Sequence, residues 1–341
     1  MKKLISVLAV AALSVAACGN GAASGGASAD KKTIRLAYQA FPSGDLIVKN
    51  QGLLEKALPD YQITWTKFDS GASINTAFVA KSVDIAAIGS SPVARGLSAP
   101  LNIPYKVAFV LDVAGDNEAL VARNGSGVTD VKSLKGKKVA TPFASTAHYS
   151  LLAALEQAGL QEKDVNIVDL EPQDIQAAWT RGDLDAAYTW LPSLAEIKKT
   201  GKVLIASRQL ATAGKPTLDL GVVSAAFADA HPEAVDAWRK VEAQALDTIA
   251  ADPAAAAKAV AEELNLDPAD AADQLSQGVF LKPADLSSPE WLGTEAAVGK
   301  LADNLVSAAG FLKSQQKIDA VPPLVDVQKA IYVKGLPDVL G

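Results

Sequence analysis

The sequence predicts an α/β protein with a helical C-terminal region, and two observations point to this class. Through the first two thirds of the chain, short β-like runs alternate with helical stretches, a pattern typical of largely parallel sheets covered by helices. After about Ser224 the β-like runs stop and only helical patterns remain. We therefore expect an α/β body that is completed by late helices.

The predicted strands are short runs of apolar and β-branched residues. In the second of them, Ile63, Trp65 and Lys67 lie on one side and Thr64 and Thr66 on the other, which is the two-residue period of a strand. The predicted strands cover residues 34–38, 63–67, 84–88, 106–113, 138–141, 166–169, 186–190 and 203–206.

The predicted helices are recognised by the residues at their ends. Gly159 and Gly182 follow two of them and suit the left-handed conformation that stops a helix. Asp252-Pro253 and Asp267-Pro268 each pair an N-cap with a proline at the first helical position. The predicted helices cover residues 150–158, 174–181, 232–251 and 294–314, and two more start at 253 and 268.

The N-terminal segment has the layout of a bacterial lipoprotein signal. Two lysines precede the apolar run 4–17, which is too short to span a bilayer, since a span needs about 20 residues. Cys18 is the only cysteine and follows Val15-Ala16-Ala17, which resembles a lipobox. We expect residues 1–17 to be removed as a signal peptide, Cys18 to be lipidated and 18–31 to form a flexible tether. The alternative is an ordinary cleaved signal in which this cysteine has no role.

Composition and motif content exclude several functions. The net charge is −6 and lysine and arginine form no cluster, which argues against binding nucleic acid. If Cys18 carries lipid, no thiol remains for disulfides, metal sites or catalysis. No zinc-protease, Walker or nucleophile-elbow motif occurs, so we expect no metal, no cofactor and no enzymatic activity. The enzyme alternative is a hydrolase that combines Ser90 or Ser91 with His148.

Six short motifs follow one another along the body. They are FDSGAS (68–73), IGSSP (88–92), NEAL (117–120), STAHYSLL (145–152), AAWTRGD with AYTWLP (177–192) and PTLD (216–219). In this order they resemble the taurine-binding proteins of bacterial ABC importers, within the wider sulfonate and nitrate solute-binding family. The resemblance covers about residues 33–223. It implies a two-lobed periplasmic binding protein fold of type II, with two crossovers and a ligand cleft between the lobes.

The resemblance also implies a division of the chain. Residues 32–120 together with 221–341 would form lobe 1, and residues 121–220 would form lobe 2. The two crossovers would lie near 120–122 and 220–223, beside Glu118 and Asp219. Closure of the hinge would then depend on the ligand.

Two candidate sites suit the anionic head of an aminoalkanesulfonate. Ser90 and Ser91 stand at the start of one predicted helix, and Ser145 and Thr146 at the start of another. Free backbone N–H groups and the helix dipole favour an anion at such positions. The alternative for each pair is a simple N-cap.

The cationic tail of such a ligand requires carboxylates. Glu118 and Asp219 are flanked by apolar residues, so we expect both to be partly buried and to need a partner. The interpretation is that both face the ligand's ammonium group. The alternative is that each forms a salt bridge with a lysine or arginine of the fold.

Four other residues complete the candidate site. Trp190 ends a predicted strand, where its indole would cover the ligand or pack in the core. Tyr38 and Gln39 end the first strand, at the sheet edge where ligands commonly bind. His148 stands near the start of the predicted helix after 145.

These observations lead to one functional hypothesis. We expect an extracytoplasmic, membrane-anchored lipoprotein, a monomer, that captures taurine or a related aminosulfonate and delivers it to an ABC permease. The alternatives are another alkanesulfonate or small anion as ligand, or a sensory lipoprotein of the same fold.

Overall fold

The computed structural model describes residues 32–340. The predicted signal peptide (1–17), the lipidation site Cys18 and the tether (18–31) lie outside the described residues. Among residues 32–340, none of the helices is both long enough and apolar enough to cross a membrane.

Every predicted strand overlaps a strand of the structure. The strands of the described part are β1 (Lys32–Gln39), β2 (Tyr61–Phe68), β3 (Ile85–Gly89), β4 (Tyr105–Val113), β5 (Glu118–Arg123), β6 (Lys138–Thr141), β7 (Asn166–Asp169), β8 (Ala186–Trp190), β9 (Gly201–Ala206), β10 (Leu218–Ser224), β11 (Gly293–Thr294) and β12 (Ala297–Val298).

Helices connect the strands and make up most of the C-terminal third. They are α1 (Gly44–Gln51), α2 (Leu53–Ala57), α3 (Gly71–Val79), α4 (Ser90–Gly96), α5 (Thr146–Gln157), α6 (Pro172–Arg181), α7 (Ser193–Lys198), α8 (Ser207–Thr212), α9 (Ala225–Ala230), α10 (Pro232–Ala251), α11 (Pro253–Leu264), α12 (Pro268–Ser276), α13 (Leu301–Ser314), α14 (Leu324–Ala330) and α15 (Leu336–Leu340). Short 3-10 helices cover Lys132–Leu134, Glu162–Asp164 and Pro283–Ser287.

The helix-start signals at the two Asp-Pro pairs are confirmed. The Asp252 carboxylate accepts a hydrogen bond from the backbone N–H of Ala255, and that of Asp267 from Ala269. The predicted helix 150–158 begins earlier, at Thr146, because Ser145 caps it by accepting from the N–H of His148.

The prediction of a helix over 294–314 was wrong at its start. Residues 293–298 form the β11–β12 hairpin, and α13 begins only at Leu301. Thr294 pairs with Ala297 and Gly293 with Val298 across this hairpin, so residues 294–298 are extended and not helical. The C-terminal third therefore contains a small sheet in addition to its helices.

Two five-stranded sheets of the same plan form the two lobes. The first has the order β2-β1-β3-β10-β4 and the second the order β7-β6-β8-β5-β9. Each contains three parallel strands followed by one strand, β10 or β5, that runs antiparallel to both of its neighbours. The sheets are therefore mixed, whereas the sequence predicted largely parallel ones and did not place β5 or β10 as strands.

The chain passes between the sheets twice. Residues 114–117 lead from β4 in the first sheet to β5 in the second, and residues 213–217 lead back to β10. Both passages lie a few residues before the predicted crossovers, because Glu118 and Asp219 already belong to strands. The division into lobe 1 (32–120 with 221–341) and lobe 2 (121–220) remains a proposal.

The C-terminal helices pack on the first sheet. The Trp238 ring of α10 lies over Gly221 in β10, where a Cβ atom would approach the ring to 2.4 Å. Glycine is needed here for close packing and not for its backbone conformation. Burial of this indole, which is 1% exposed, anchors the long helix on the first lobe.

Candidate ligand-binding cleft

A cavity lies between the two lobes, where strands of both sheets end. The carboxyl-terminal residues of β1, β3 and β8 contribute to it, as do the first residues of β5 and β10. This is the edge of an α/β sheet at which ligands bind. Its lining residues are Gln39, Phe41, Pro42, Gly71, Gly89, Pro92, Ala114, Asn117, Glu118, Ser145, Thr146, Trp190, Leu191 and Asp219.

The structure brings six of the ten predicted ligand residues together around this cavity. They are Gln39, Glu118, Ser145, Thr146, Trp190 and Asp219. The other four, Tyr38, Ser90, Ser91 and His148, are not among the lining residues.

Asp219 is paired with a second carboxyl, that of Asp112. The two residues are register partners on the antiparallel strands β10 and β4. Asp219 is partly exposed and lines the cavity, whereas Asp112 lies behind it and is completely buried. Burial raises the pKa of Asp112 to about 7, and burial together with the negative charge of Asp112 raises the pKa of Asp219 well above its usual range.

Glu118 is surrounded by hydroxyl groups. Its Oε1 accepts hydrogen bonds from Ser207 at 2.6 Å, Ser150 at 3.2 Å and Thr217 at 3.3 Å. Its Oε2 accepts one from Thr146. Burial raises the pKa of Glu118 and these hydroxyl groups partly oppose that shift. Glu118 has no lysine, arginine or histidine partner among residues 32–340, so the salt-bridge alternative does not describe it.

The start of α5 forms another wall of the cavity. Ser145 caps this helix, and its hydroxyl donates to the backbone carbonyl of Pro142 at 2.6 Å. Thr146 donates its hydroxyl to Glu118. Both side chains are therefore held in place, and the backbone N–H groups of Thr146 and Ala147 in the first turn have no intrahelical acceptor. An anion in the cavity would meet these groups and the positive end of the helix dipole.

An apolar surface completes the cavity. Phe41, Pro42 and Leu191 line it together with the half-buried Trp190. Trp190 is the register partner of Glu118 on neighbouring strands, so indole and carboxylate lie side by side.

Ser90 and Ser91 do not reach the cavity because both are buried within the first lobe. The Ser90 hydroxyl accepts a hydrogen bond from the backbone N–H of Leu218 at 3.0 Å. It thereby fixes the start of β10 beside Asp219. Gly89, the residue before this pair, lines the cavity in their place.

Tyr38 and His148 point away from the cavity for different reasons. Successive strand residues face opposite sides, so Gln39 faces the cavity and Tyr38 packs edge-on against Trp65. The His148 ring stacks on Phe143, and its Nδ1 accepts from the backbone N–H of Ala144. Burial lowers the pKa of His148 to about 4, so this ring is neutral at physiological pH.

Sequence reasoning missed Asp112, Asn117 and the pair Phe41-Pro42. A signal existed for Asp112, because an acid within the apolar run Ala108-Phe109-Val110-Leu111 is costly to bury unless it has a role. Asn117 lies in the first passage between the sheets, where its Oδ1 accepts from the N–H of Gly115 at 2.6 Å. No sequence pattern marks Phe41-Pro42, which belong to the loop after β1.

The charged side chains that line the cavity are all acidic. Two carboxyl groups line it, and none of the lining residues is a lysine, arginine or histidine. A ligand that carries only negative charge would be repelled by these carboxylates. The cavity therefore favours a ligand with a cationic end.

The two lobes touch across the cleft. Ser70, which precedes α3 in the first lobe, donates a 2.9 Å hydrogen bond to Glu171, which precedes α6 in the second. Two α/β lobes joined by two passages, with a polar cavity enclosed between them, define a solute-binding protein of the periplasmic type.

Comparison with known proteins gives the same class. The family model described as NMT1/THI5 like matches residues 102–256. The taurine-binding periplasmic protein of Escherichia coli is 38% identical over 76% of this chain and 79% of that protein. A putative aliphatic sulfonates-binding protein of Bacillus subtilis is 33% identical over 71% of this chain and 72% of that protein. The structure of the alkanesulfonate-binding protein of Xanthomonas axonopodis pv. citri, bound to MOPS, superposes with a TM-score of 0.75 at 23% identity, covering 89% of this chain and 99% of that one.

The chain therefore belongs to the family of taurine- and sulfonate-type solute-binding proteins of ABC importers. The family resemblance carried by the six motifs and the two-lobed fold are confirmed. The curated relatives are binding proteins, and the periplasmic class of the E. coli protein implies an extracytoplasmic location for this one.

Proposed function

We propose that this protein captures taurine, 2-aminoethanesulfonate, and delivers it to the permease of an ABC importer. One observation carries the proposal: carboxyl groups line the cavity on one side, the start of α5 lines it on another, and no basic side chain is among the lining residues. Taurine has a cationic amine and an anionic sulfonate two carbons apart. The taurine-binding protein of E. coli, as a 38% identical relative, supports the same ligand.

The start of α5 suits the sulfonate. Backbone N–H groups at Thr146 and Ala147 and the helix dipole offer hydrogen bonds and positive potential without a full cationic charge. A sulfonate bound in this way leaves the ligand's amine free to meet the carboxylates. Each hydrogen bond to the charged head would contribute about 1.5–3 kcal/mol.

Asp219 suits the ammonium group best. It is partly exposed to the cavity and has no cationic partner among residues 32–340. Glu118 also lines the cavity, but four hydroxyl groups already occupy its oxygens. Glu118 would therefore act chiefly by adding negative potential and by orienting Thr146. The apolar wall formed by Phe41, Pro42 and Trp190 would cover the two methylene groups between the charged ends.

Calorimetric titration of the purified protein tests the ligand. We expect tight binding of taurine, much weaker binding of ethanesulfonate, which lacks the amine, and weak binding of β-alanine, which replaces the sulfonate by a carboxylate. Tighter binding of ethanesulfonate than of taurine would contradict the role of the carboxyl groups and point to alkanesulfonates. Binding of none of the three would refute the proposed ligand class.

We further propose that lipid on Cys18 anchors the protein at the extracytoplasmic face of the membrane. The proposal is supported by the lipobox-like sequence Val15-Ala16-Ala17-Cys18, which lies outside the described residues. The Cys18→Ser protein should leave the membrane fraction and appear in the soluble fraction. A variant that stays with the membrane would contradict the anchor.

A further inference from the structure

Five carboxyl groups, four of them buried and that of Asp219 partly exposed, extend from the cavity into the first lobe. Glu118 and Asp219 line the cavity. The negative charge of Glu118 raises the pKa of Asp112, and the negative charge of Asp112 raises the pKa of Asp219. Asp45 of α1 repels Asp112 in the same way, and Glu242 of α10 is in turn repelled by Asp45. None of the five forms an ion pair with a lysine, arginine or histidine in the described part of the chain.

Asp112 and Asp219 form the closest pair in this group. They are register partners on the antiparallel strands β4 and β10, so their carboxyl groups lie beside each other on the same face of the sheet. Among residues 32–340, neither oxygen of Asp112 has a hydrogen-bond partner. Burial and the repulsion between like charges both oppose ionisation of two neighbouring carboxyl groups, so a proton held by the pair relieves the repulsion.

We propose that Asp112 is a positioning residue for the ammonium-binding site: it shares one proton with Asp219 before ligand binds, and the ligand's ammonium group displaces that proton into solvent. This proposal rests on the proposed function. Only Asp219 lines the cavity, so the cation contacts Asp219, and Asp112 acts through it. The bond that breaks is the O–H bond of the shared proton, and the buffer accepts the proton.

The sign of the resulting pH dependence follows from the groups that face the pair. These are Glu118 from β5 and Asp45 from α1, both acidic, with Glu242 beyond Asp45. Glu263, which forms an ion pair with Lys49, also repels Asp45 and raises its pKa. Burial raises the pKa of Asp112 to about 7, and the pKa of Asp219 is raised well above its usual range, so the pair holds at least one proton at neutral pH. Taurine affinity should therefore rise with pH, by up to about tenfold per pH unit, and level off once the proton has been lost.

Proton release can be counted by calorimetry. Titrations of taurine at about pH 7.5 in two buffers that differ in ionisation enthalpy should show release of about one proton per ligand. Ethanesulfonate, which has no ammonium group, should release none. In the same protein, infrared difference spectra should show that a protonated-carboxyl band is lost on binding taurine and kept on binding ethanesulfonate.

The variant Asp112→Asn separates this role from a merely structural one. The amide can donate a hydrogen bond to an ionised Asp219, so no shared proton is needed. We expect taurine still to bind, with proton release reduced to near zero and the pH dependence flattened. Asp84→Asn is the matched control: Asp84 is a buried acid directly before β3, paired with Arg35, and its loss should leave the release unchanged.

Three results would overturn the proposal. Tight taurine binding by the wild-type protein without proton release or loss of the infrared band would refute it and leave the proposed function intact. Full release by a folded Asp112→Asn protein would also refute it, since the proton would then come from another group. Failure of taurine to bind at all would refute the proposed function and this inference together.

Discussion

Gly89 of the first lobe lies directly against Thr146 of the second. Gly89 is the last residue of β3 and Thr146 the first of α5, and a Cβ atom on Gly89 would be only 2.6 Å from Thr146 Cγ2. The φ of Gly89 is −64°, which any residue adopts, so the glycine is not required by backbone conformation. It is required because the opposite lobe comes this close when the cleft is closed.

Gly89→Ala should therefore oppose closure and weaken taurine binding. A methyl group cannot fit at 2.6 Å, and relief of such a clash costs about 1–3 kcal/mol. We expect calorimetry to show an affinity lower by about tenfold to a hundredfold, with little change in the melting temperature of the unliganded protein.

The double variant Gly89→Ala with Thr146→Ser is the matched control for this prediction. Serine lacks the Cγ2 methyl group but keeps the hydroxyl that donates to Glu118. We expect it to restore most of the lost affinity. If the double variant bound as weakly as Gly89→Ala alone, the contact across the cleft would not be the cause.

Asp219→Asn should separate taurine from its amine-free analogue. The substitution removes the carboxylate that faces the ammonium group, and an unpaired buried charge costs about 3–5 kcal/mol. We expect taurine affinity to fall by at least about a hundredfold, while ethanesulfonate affinity changes little or improves.

Calorimetry with both ligands checks this prediction, and Asp116→Asn serves as its control. Asp116 lies in the passage 114–117, two residues before Glu118, but pairs on the surface with Arg208 at 2.9 Å. Equal losses of affinity for both ligands in Asp219→Asn would show that Asp219 supports the fold and does not recognise the ligand's amine.

The sequence predicted the strands well where local pattern decides them, and poorly where tertiary contacts do. β1 and β2 show clear apolar runs or alternation, whereas β5 and β10 were interpreted as crossovers because the family resemblance placed hinges there. Each of these two strands begins at a passage between the sheets and carries its candidate acid at or next to its first residue. The identity of the acids was thus visible in the sequence, but not their place in a strand.

The hydrogen-bond partners and contacts of the site residues could not be predicted from the sequence. The four hydroxyls on Glu118 come from Thr146, Ser150, Ser207 and Thr217, which only the folded chain brings together. For His148, in contrast, the position in the sequence suggested a site residue that the fold does not place at the cavity. It follows the helix start by two residues, yet its ring turns back onto Phe143 and away from the cavity.

Ser70→Ala should weaken ligand binding without touching the ligand. The Ser70 hydroxyl donates across the cleft to Glu171, a contact that is present only when the lobes are together. Loss of such a hydrogen bond costs about 0.5–1.5 kcal/mol, so we expect calorimetry to show an affinity lower by about two- to tenfold.

Two variants test whether this contact is responsible. Ser73→Ala removes a neighbouring hydroxyl that bonds within the first lobe, to the carbonyl of Ser70, and should leave affinity nearly unchanged. Combining Ser70→Ala with Glu171→Ala should cost no more than either single change, because the pair acts as one unit. Additive losses in the double variant would mean that the two residues contribute separately.

Asp45→Asn should stabilise the protein in a pH-dependent way. Burial raises the pKa of Asp45 from 3.8 to about 6, so the native state favours the protonated carboxyl. This contribution to stability is complete below about pH 3.8 and is lost as the pH rises through 6, because a buried charge must then form. Asparagine stays neutral and keeps the oxygen that accepts from Ser43. Urea denaturation should show little gain in the free energy of unfolding near pH 4, growing to at most about 3 kcal/mol near pH 8.

Asp84→Asn, which breaks the ion pair with Arg35, is the control and should instead lose stability at both pH values. A gain for Asp45→Asn that is equal at both pH values would show that the pKa of Asp45 is the same in the native and unfolded states, and would contradict the prediction.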